Sequence, residues 1–116
     1  MHNTIAVDFD KTLAEYESGA FSPTDVGKPN PGAINFLKAL KQMGFAVIIF
    51  SVRANTRGGK LAIERWVQQY APGLVESVTH LKMGNMEYFV DDRAIHYDGD
   101  FKLVLKEIIR RDGQNK

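Results

Sequence analysis

The unbroken apolar run Phe45-Ala46-Val47-Ile48-Ile49-Phe50 constrains this chain more than any other feature. A strand with one wet face alternates apolar and polar residues. A run without alternation belongs to a strand covered on both faces, the place of a central strand in a parallel sheet. The flanking segments agree. Thr4 to Phe9 reads as a short buried strand ending in acidic residues. Asn30-Pro31 reads as an N-cap with proline at the first helical position, opening a helix with Ile34, Phe36, Leu37 and Leu40 on one stripe and Gly44 at its end. A polar turn, Ser51 to Gly59, leads to a second helix on which Ala62, Ile63, Trp66, Val67 and Tyr70 share a face, closed by Pro72-Gly73. Val75 to Leu81 and Glu87 to Val90 read as further strands, the latter running into Asp91-Asp92, and Asp100 to Arg111 as a last helix. Strands alternating with helices predict an α/β fold, a Rossmann-like three-layer α/β/α sandwich with a mostly parallel central sheet. Crossovers in such a sheet are right-handed, and ligands bind at the carboxyl ends of the strands.

At 116 residues the chain forms one domain, residues 1–116. A net charge of +1 gives no global pull toward nucleic acid or an anionic membrane, although it does not exclude a local basic patch. The absence of cysteine removes disulfides, zinc-thiolate sites and thiol catalysis. No apolar run approaches a membrane span, and the start of the chain lacks a signal-peptide layout, so the expectation is a cytoplasmic protein.

The polar residues of interest all fall at the carboxyl ends of expected strands: Asp8 and Asp10, Ser51, and Asp91 and Asp92. In an extended chain Asp8 and Asp10 would point to one side, where they repel unless a cation neutralises them. Mg²⁺ accepts oxygen-only ligands and keeps its own waters, so few protein groups are needed. One carboxylate can attack phosphorus to form an aspartyl-phosphate, while its neighbour protonates the leaving oxygen and later deprotonates water. A bare Asp-x-Asp arises by chance on many strand ends. Asp8-Phe-Asp10-Lys-Thr12-Leu13 after an apolar strand, followed in order by Ser51 and Asp91-Asp92, is far more specific.

These ordered motifs resemble the haloacid dehalogenase superfamily over almost the whole chain. The resemblance implies Asp8 as nucleophile and Asp10 as acid/base, with Thr12 in the same motif. Val47-Ile-Ile-Phe-Ser51 resembles the second motif, whose hydroxyl binds the phosphoryl group. Lys82 is the better candidate for the charge-offsetting lysine, with Lys60 its rival. Tyr88-Phe-Val-Asp91-Asp92-Arg93 resembles the acidic fourth motif. The implied Mg²⁺ ligands are the Asp8 side chain, the Asp10 backbone carbonyl and Asp92, favoured over Asp91. Two departures stand out: Lys11 occupies a position that is usually glycine, and Lys82 lacks the proline that often follows. Thr12 is a candidate substrate-binding residue, together with the cations Lys11 and Arg53.

The spacing leaves no room for a folded cap, so the resemblance implies a small capless phosphatase-like member. The stretch from Ala14 to Asn30 is then the only local lid, with Tyr16, Phe21 and Lys28 as its substrate-facing groups. An open site suits a large substrate or a small one covered by a homo-oligomer partner. The expected substrates are phosphorylated small molecules (nucleotides, sugar phosphates) or nucleic-acid ends; Val90-Asp-Asp-Arg-Ala94 with Ser51-x-Arg53 resembles the phosphatase half of polynucleotide kinase–phosphatases. The competing functions are a receiver-like phospho-aspartate signalling module and a non-catalytic ligand-binding member of the same fold. Receivers, however, place paired acids at the first strand and the acceptor at the third, the reverse of the order here. His80 and His96 lack metal-ligand spacing, and Asp98-Gly-Asp100 reads as the cap of the last helix.

Overall fold

The computed structural model describes residues 3–15, 26–81, 88–91, 95–96 and 100–114. In chain order the elements are β1 (Asn3–Asp8), α1 (Ala33–Gln42), β2 (Phe45–Phe50), a 3-10 turn (Val52–Asn55), α2 (Arg57–Tyr70), β3 (Ser77–Thr79), β4 (Tyr88–Asp91), β5 (Ile95–His96) and α3 (Phe101–Gln114). The five strands form one sheet in the order β3-β2-β1-β4-β5, and every pairing is parallel. This is a Rossmann-like α/β fold. β1 lies at its middle, and Ile5, Ala6 and Val7 are fully buried there. In β2 the residues Phe45, Val47 and Ile49 are buried while their alternates are half-buried.

One continuous core joins β1, β2 and β3 to all three helices. α1 contributes Phe36, Leu37 and Leu40, α2 contributes Ile63, Trp66 and Val67, and α3 contributes Phe101, Val104 and Ile108. Each large side chain so buried stabilises the fold by about 1.5–3 kcal/mol. Phe36 and Phe101 stack with ring centroids 4.7 Å apart, which ties α1 to α3.

Several boundaries differ from the sequence reading, for identifiable reasons. β5 was not expected; two residues carry no periodicity, and pairing with β4 alone defines it. β1 starts one residue earlier than expected, where Asn3 pairs with Phe45, and stops one residue earlier because the chain turns at Phe9. α1 starts at Ala33 rather than Pro31, with Gly32 in the left-handed region (φ 84) at the N-cap and no side-chain cap. Asn30 is engaged elsewhere: its side-chain amide donates to the Thr12 carbonyl (2.9 Å) and its backbone N–H to the Leu13 carbonyl (2.8 Å). Gly58 and Gly59 belong to the first turn of α2 and not to the turn before it. Thr56 caps that helix by accepting the Gly59 N–H at 3.0 Å. Asp100 does cap α3, its carboxylate accepting the Lys102 N–H at 2.9 Å. No helix among the described residues is long and apolar enough to cross a membrane.

Candidate active site

Parallel register brings the candidate residues to one edge. Asp8 closes β1 opposite Phe50, so Ser51 follows directly on the neighbouring strand. On the other side Val7 pairs with Val90, which sets the Asp91 backbone beside Asp8 at the end of β4. The Asp91 side chain, together with Lys82, Asp92, Arg93, Tyr16 and Phe21, lies outside the described residues. Among the described residues no three acidic or histidine side chains gather into a metal-binding group.

Asp8 and Asp10 do not share an extended strand. The Phe9 carbonyl accepts the N–H groups of Thr12 (3.2 Å), Leu13 (2.9 Å) and Ala14 (3.0 Å), which folds the motif into a tight turn. The cause is Phe9 itself: its ring is fully buried and packs edge-on against Trp66 of α2, centroids 5.0 Å apart. Lys11 then adopts φ 65, in the left-handed region. A glycine would take that conformation without strain, which gives a physical sense to the departure noted at this position. Lys11 is exposed. Thr12 is buried and is held through its backbone to Phe9 and Asn30, so it forms part of the turn's wall.

Arg53 organises what remains. It is 4% exposed, and its Nε donates to Asp10 Oδ2 at 2.7 Å. Its backbone N–H donates to Ser51 Oγ at 3.2 Å. Its carbonyl accepts from Thr56 Oγ1 (3.1 Å) and Thr56 N–H (3.2 Å). The same carbonyl lies so close to α2 that a Cβ on Gly59 would sit 2.0 Å from its oxygen. One residue therefore links the Asp10 carboxylate, the Ser51 hydroxyl and the start of α2. Ser51 is 2% exposed and donates its own N–H to the Thr79 carbonyl at 2.9 Å, extending the β2–β3 ladder past the strand end.

The Asp10 carboxylate is thereby divided. Oδ2 is paired with Arg53, whereas Oδ1 is the buried side-chain atom without a hydrogen-bond partner among the described residues. Leaving a buried acceptor unmet costs about 1–3 kcal/mol, and such exceptions call for an explanation. The sequence reading cast Arg53 as a substrate-binding cation and did not anticipate its pairing with Asp10. The available signal was an arginine two residues beyond the serine that ends the central strand. Lys60 lies exposed on α2, and His80 is exposed.

Against known proteins, no family model and no curated protein matches this chain. A solved structure of a conserved protein from Bacteroides thetaiotaomicron does match. It is 26% identical with a TM-score of 0.67, and the match covers 96% of this chain and 93% of that one. The fold is therefore shared over nearly the full length of both proteins.

Proposed function

We propose that this chain is a Mg²⁺-dependent phosphomonoester hydrolase that works through an aspartyl-phosphate on Asp8. The observation that carries the reading is the divided carboxylate of Asp10. One oxygen is anchored to Arg53 at 2.7 Å, and the other is buried without a hydrogen-bond partner among the described residues. An oriented carboxylate with one unmet oxygen is what a proton-handling group requires.

In the forward step an Asp8 oxygen attacks phosphorus, the bond from phosphorus to the leaving oxygen breaks, and Asp10 delivers its proton to that oxygen. In the second step Asp10 takes a proton from the water that attacks the aspartyl-phosphate, regenerating Asp8 and releasing phosphate. Ser51, with its hydroxyl oxygen accepting from Arg53, has its hydroxyl proton to offer a phosphoryl oxygen. The resemblance adds Lys82 as the charge facing that group. Asp8, the Asp10 carbonyl and Asp92 (with Asp91 adjacent) are hard oxygen donors and fit Mg²⁺. Bound there, the ion would offset the negative charge of the carboxylates and the phosphoryl group. The substrate class is a nucleotide, a sugar phosphate or a nucleic-acid end.

Hydrolysis of an aryl phosphate tests the reading, run with Mg²⁺, with EDTA and with Asp8→Asn. Turnover that survives EDTA or the substitution sinks it. A phospho-protein that accumulates and decays slowly would favour the signalling alternative.

A further inference from the structure

A cleft of about 350 Å³ lies between residues 26–28 and the flank of α2, outside the constellation above. That volume falls in the range of small-ligand pockets, about 300–1,000 Å³. Its α2 wall includes Gly58, Arg65, Trp66 and Gln69, one helical stripe running about 16 Å at 1.5 Å per residue. Its other wall is held close by two contacts. The Trp66 indole N–H donates to the Gly27 carbonyl at 3.0 Å. The Gly27 backbone in turn approaches Glu15 so closely that a Cβ there would lie 1.9 Å from the Glu15 carbonyl oxygen. The opening is thus built from packed elements on both sides.

Its charge is one-sided. Lys28 and Arg65 stand on opposite walls, and none of the described lining residues is acidic. The chain as a whole is nearly neutral at +1, so this is a local arrangement. Both walls also continue the segments that hold the candidate site. Glu15, just past the Asp10 turn, donates its N–H to the Lys28 carbonyl at 2.7 Å, and α2 begins directly after the turn that carries Arg53. The two segments that form the cleft are thus continuations of those that carry Asp10 and Arg53.

We propose that this cleft binds a second phosphate carried on the substrate's leaving group, with Lys28 and Arg65 as its counter-charges. Two cations match the two charges of a phosphate dianion, and arginine and lysine are both phosphate-binding side chains. The proposal rests on the phosphomonoesterase reading for the first phosphate and assigns the substrate class as bisphosphates. Both cations are exposed, so each contributes less than a buried partner would.

The test compares matched pairs: fructose 1,6-bisphosphate with fructose 6-phosphate, and adenosine 3′,5′-bisphosphate with AMP. The wild type should favour the bisphosphate of at least one pair, and the pair that responds identifies a sugar or nucleoside carrier. Lys28→Ala and Arg65→Ala should each reduce that preference, the ratio of the two kcat/KM values, by about five- to tenfold. Lys38→Ala, on the exposed face of α1, should leave the ratio unchanged. Equal losses for both members of each pair, or no preference in either pair, would overturn the proposal. Binding is read separately in Asp8→Asn, because Trp66 is the chain's single tryptophan and lines the cleft. Its fluorescence should titrate with the bisphosphate at a lower midpoint than with the monophosphate, and Arg65→Ala should remove the difference. Identical midpoints in the unsubstituted cleft overturn the proposal. If the wild type hydrolyses no ester, the phosphatase reading fails while this titration still judges the cleft.

Discussion

The two ends of β2 treat their polar groups in opposite ways. At its amino end a cleft of about 310 Å³ is lined by Lys41, Gly44, Phe45, Gly73 and Glu76, among others. Its charged side chains are exposed. Lys41 Nζ donates to the Gly73 carbonyl, and the Glu76 N–H reaches the Val47 carbonyl at 2.8 Å. At the carboxyl end the chain buries Ser51, Arg53 and Thr12, and Asp10 Oδ1 has no hydrogen-bond partner among the described residues. A concave surface by itself therefore does not mark a reactive site. What distinguishes the two ends is polar chemistry held out of water, which costs stability unless it is compensated. Groups of this kind call for an explanation, and they make the carboxyl end the candidate site.

The comparison breaks most sharply at Asp8. Asp8→Asn should reduce aryl phosphate hydrolysis by at least about 10³-fold, because the attacking oxygen is lost; Glu76→Gln at the other end should leave the rate unchanged. Asp10→Asn should lower kcat by about 10²–10⁴-fold, the usual worth of general acid–base catalysis. An Asp10→Asn enzyme retaining wild-type kcat would remove the distinction between the ends.

Stability sharpens the same contrast. Arg53→Ala strands the Asp10 carboxylate without its partner and should cost about 3 kcal/mol. That would appear as a lower urea midpoint at unchanged slope. Gly59→Ala forces a methyl against the Arg53 carbonyl and should cost about 1–3 kcal/mol, with kcat falling as Arg53 shifts. Lys41→Ala should stay within about 0.5 kcal/mol, as exposed substitutions do. A large loss there would show that the amino end is as tightly organised as the candidate site.

Much of this was legible in the residues. The apolar run from Phe45 to Phe50 announced a central strand, and β2 is one. Gly44 marked the end of α1, and Asp100 the start of α3. The alignment of Asp8 with Ser51 and Asp91 followed from assigning each to a strand end, since parallel strands bring those ends together. Phe9 was harder to place. It continues the apolar pattern of β1, so the sequence extended the strand through it, whereas Trp66 draws its ring into the core and turns the chain. Asn30 likewise resembled a helix cap because asparagine commonly is one. Its amide found a nearer carbonyl at Thr12.

The sequence by itself determined the class of fold, the central strand and the edge where the candidate residues gather, because those depend on periodicity and local punctuation. Only the tertiary structure decided that Arg53 serves Asp10. The two residues are 43 positions apart, and no local pattern records which carboxylate a distant guanidinium will meet. It also decided the strand order, the short strand β5 and the cleft beside α2. Each of these exists only once separate segments are packed together, where backbone pairing and burial, not propensity, select the partner.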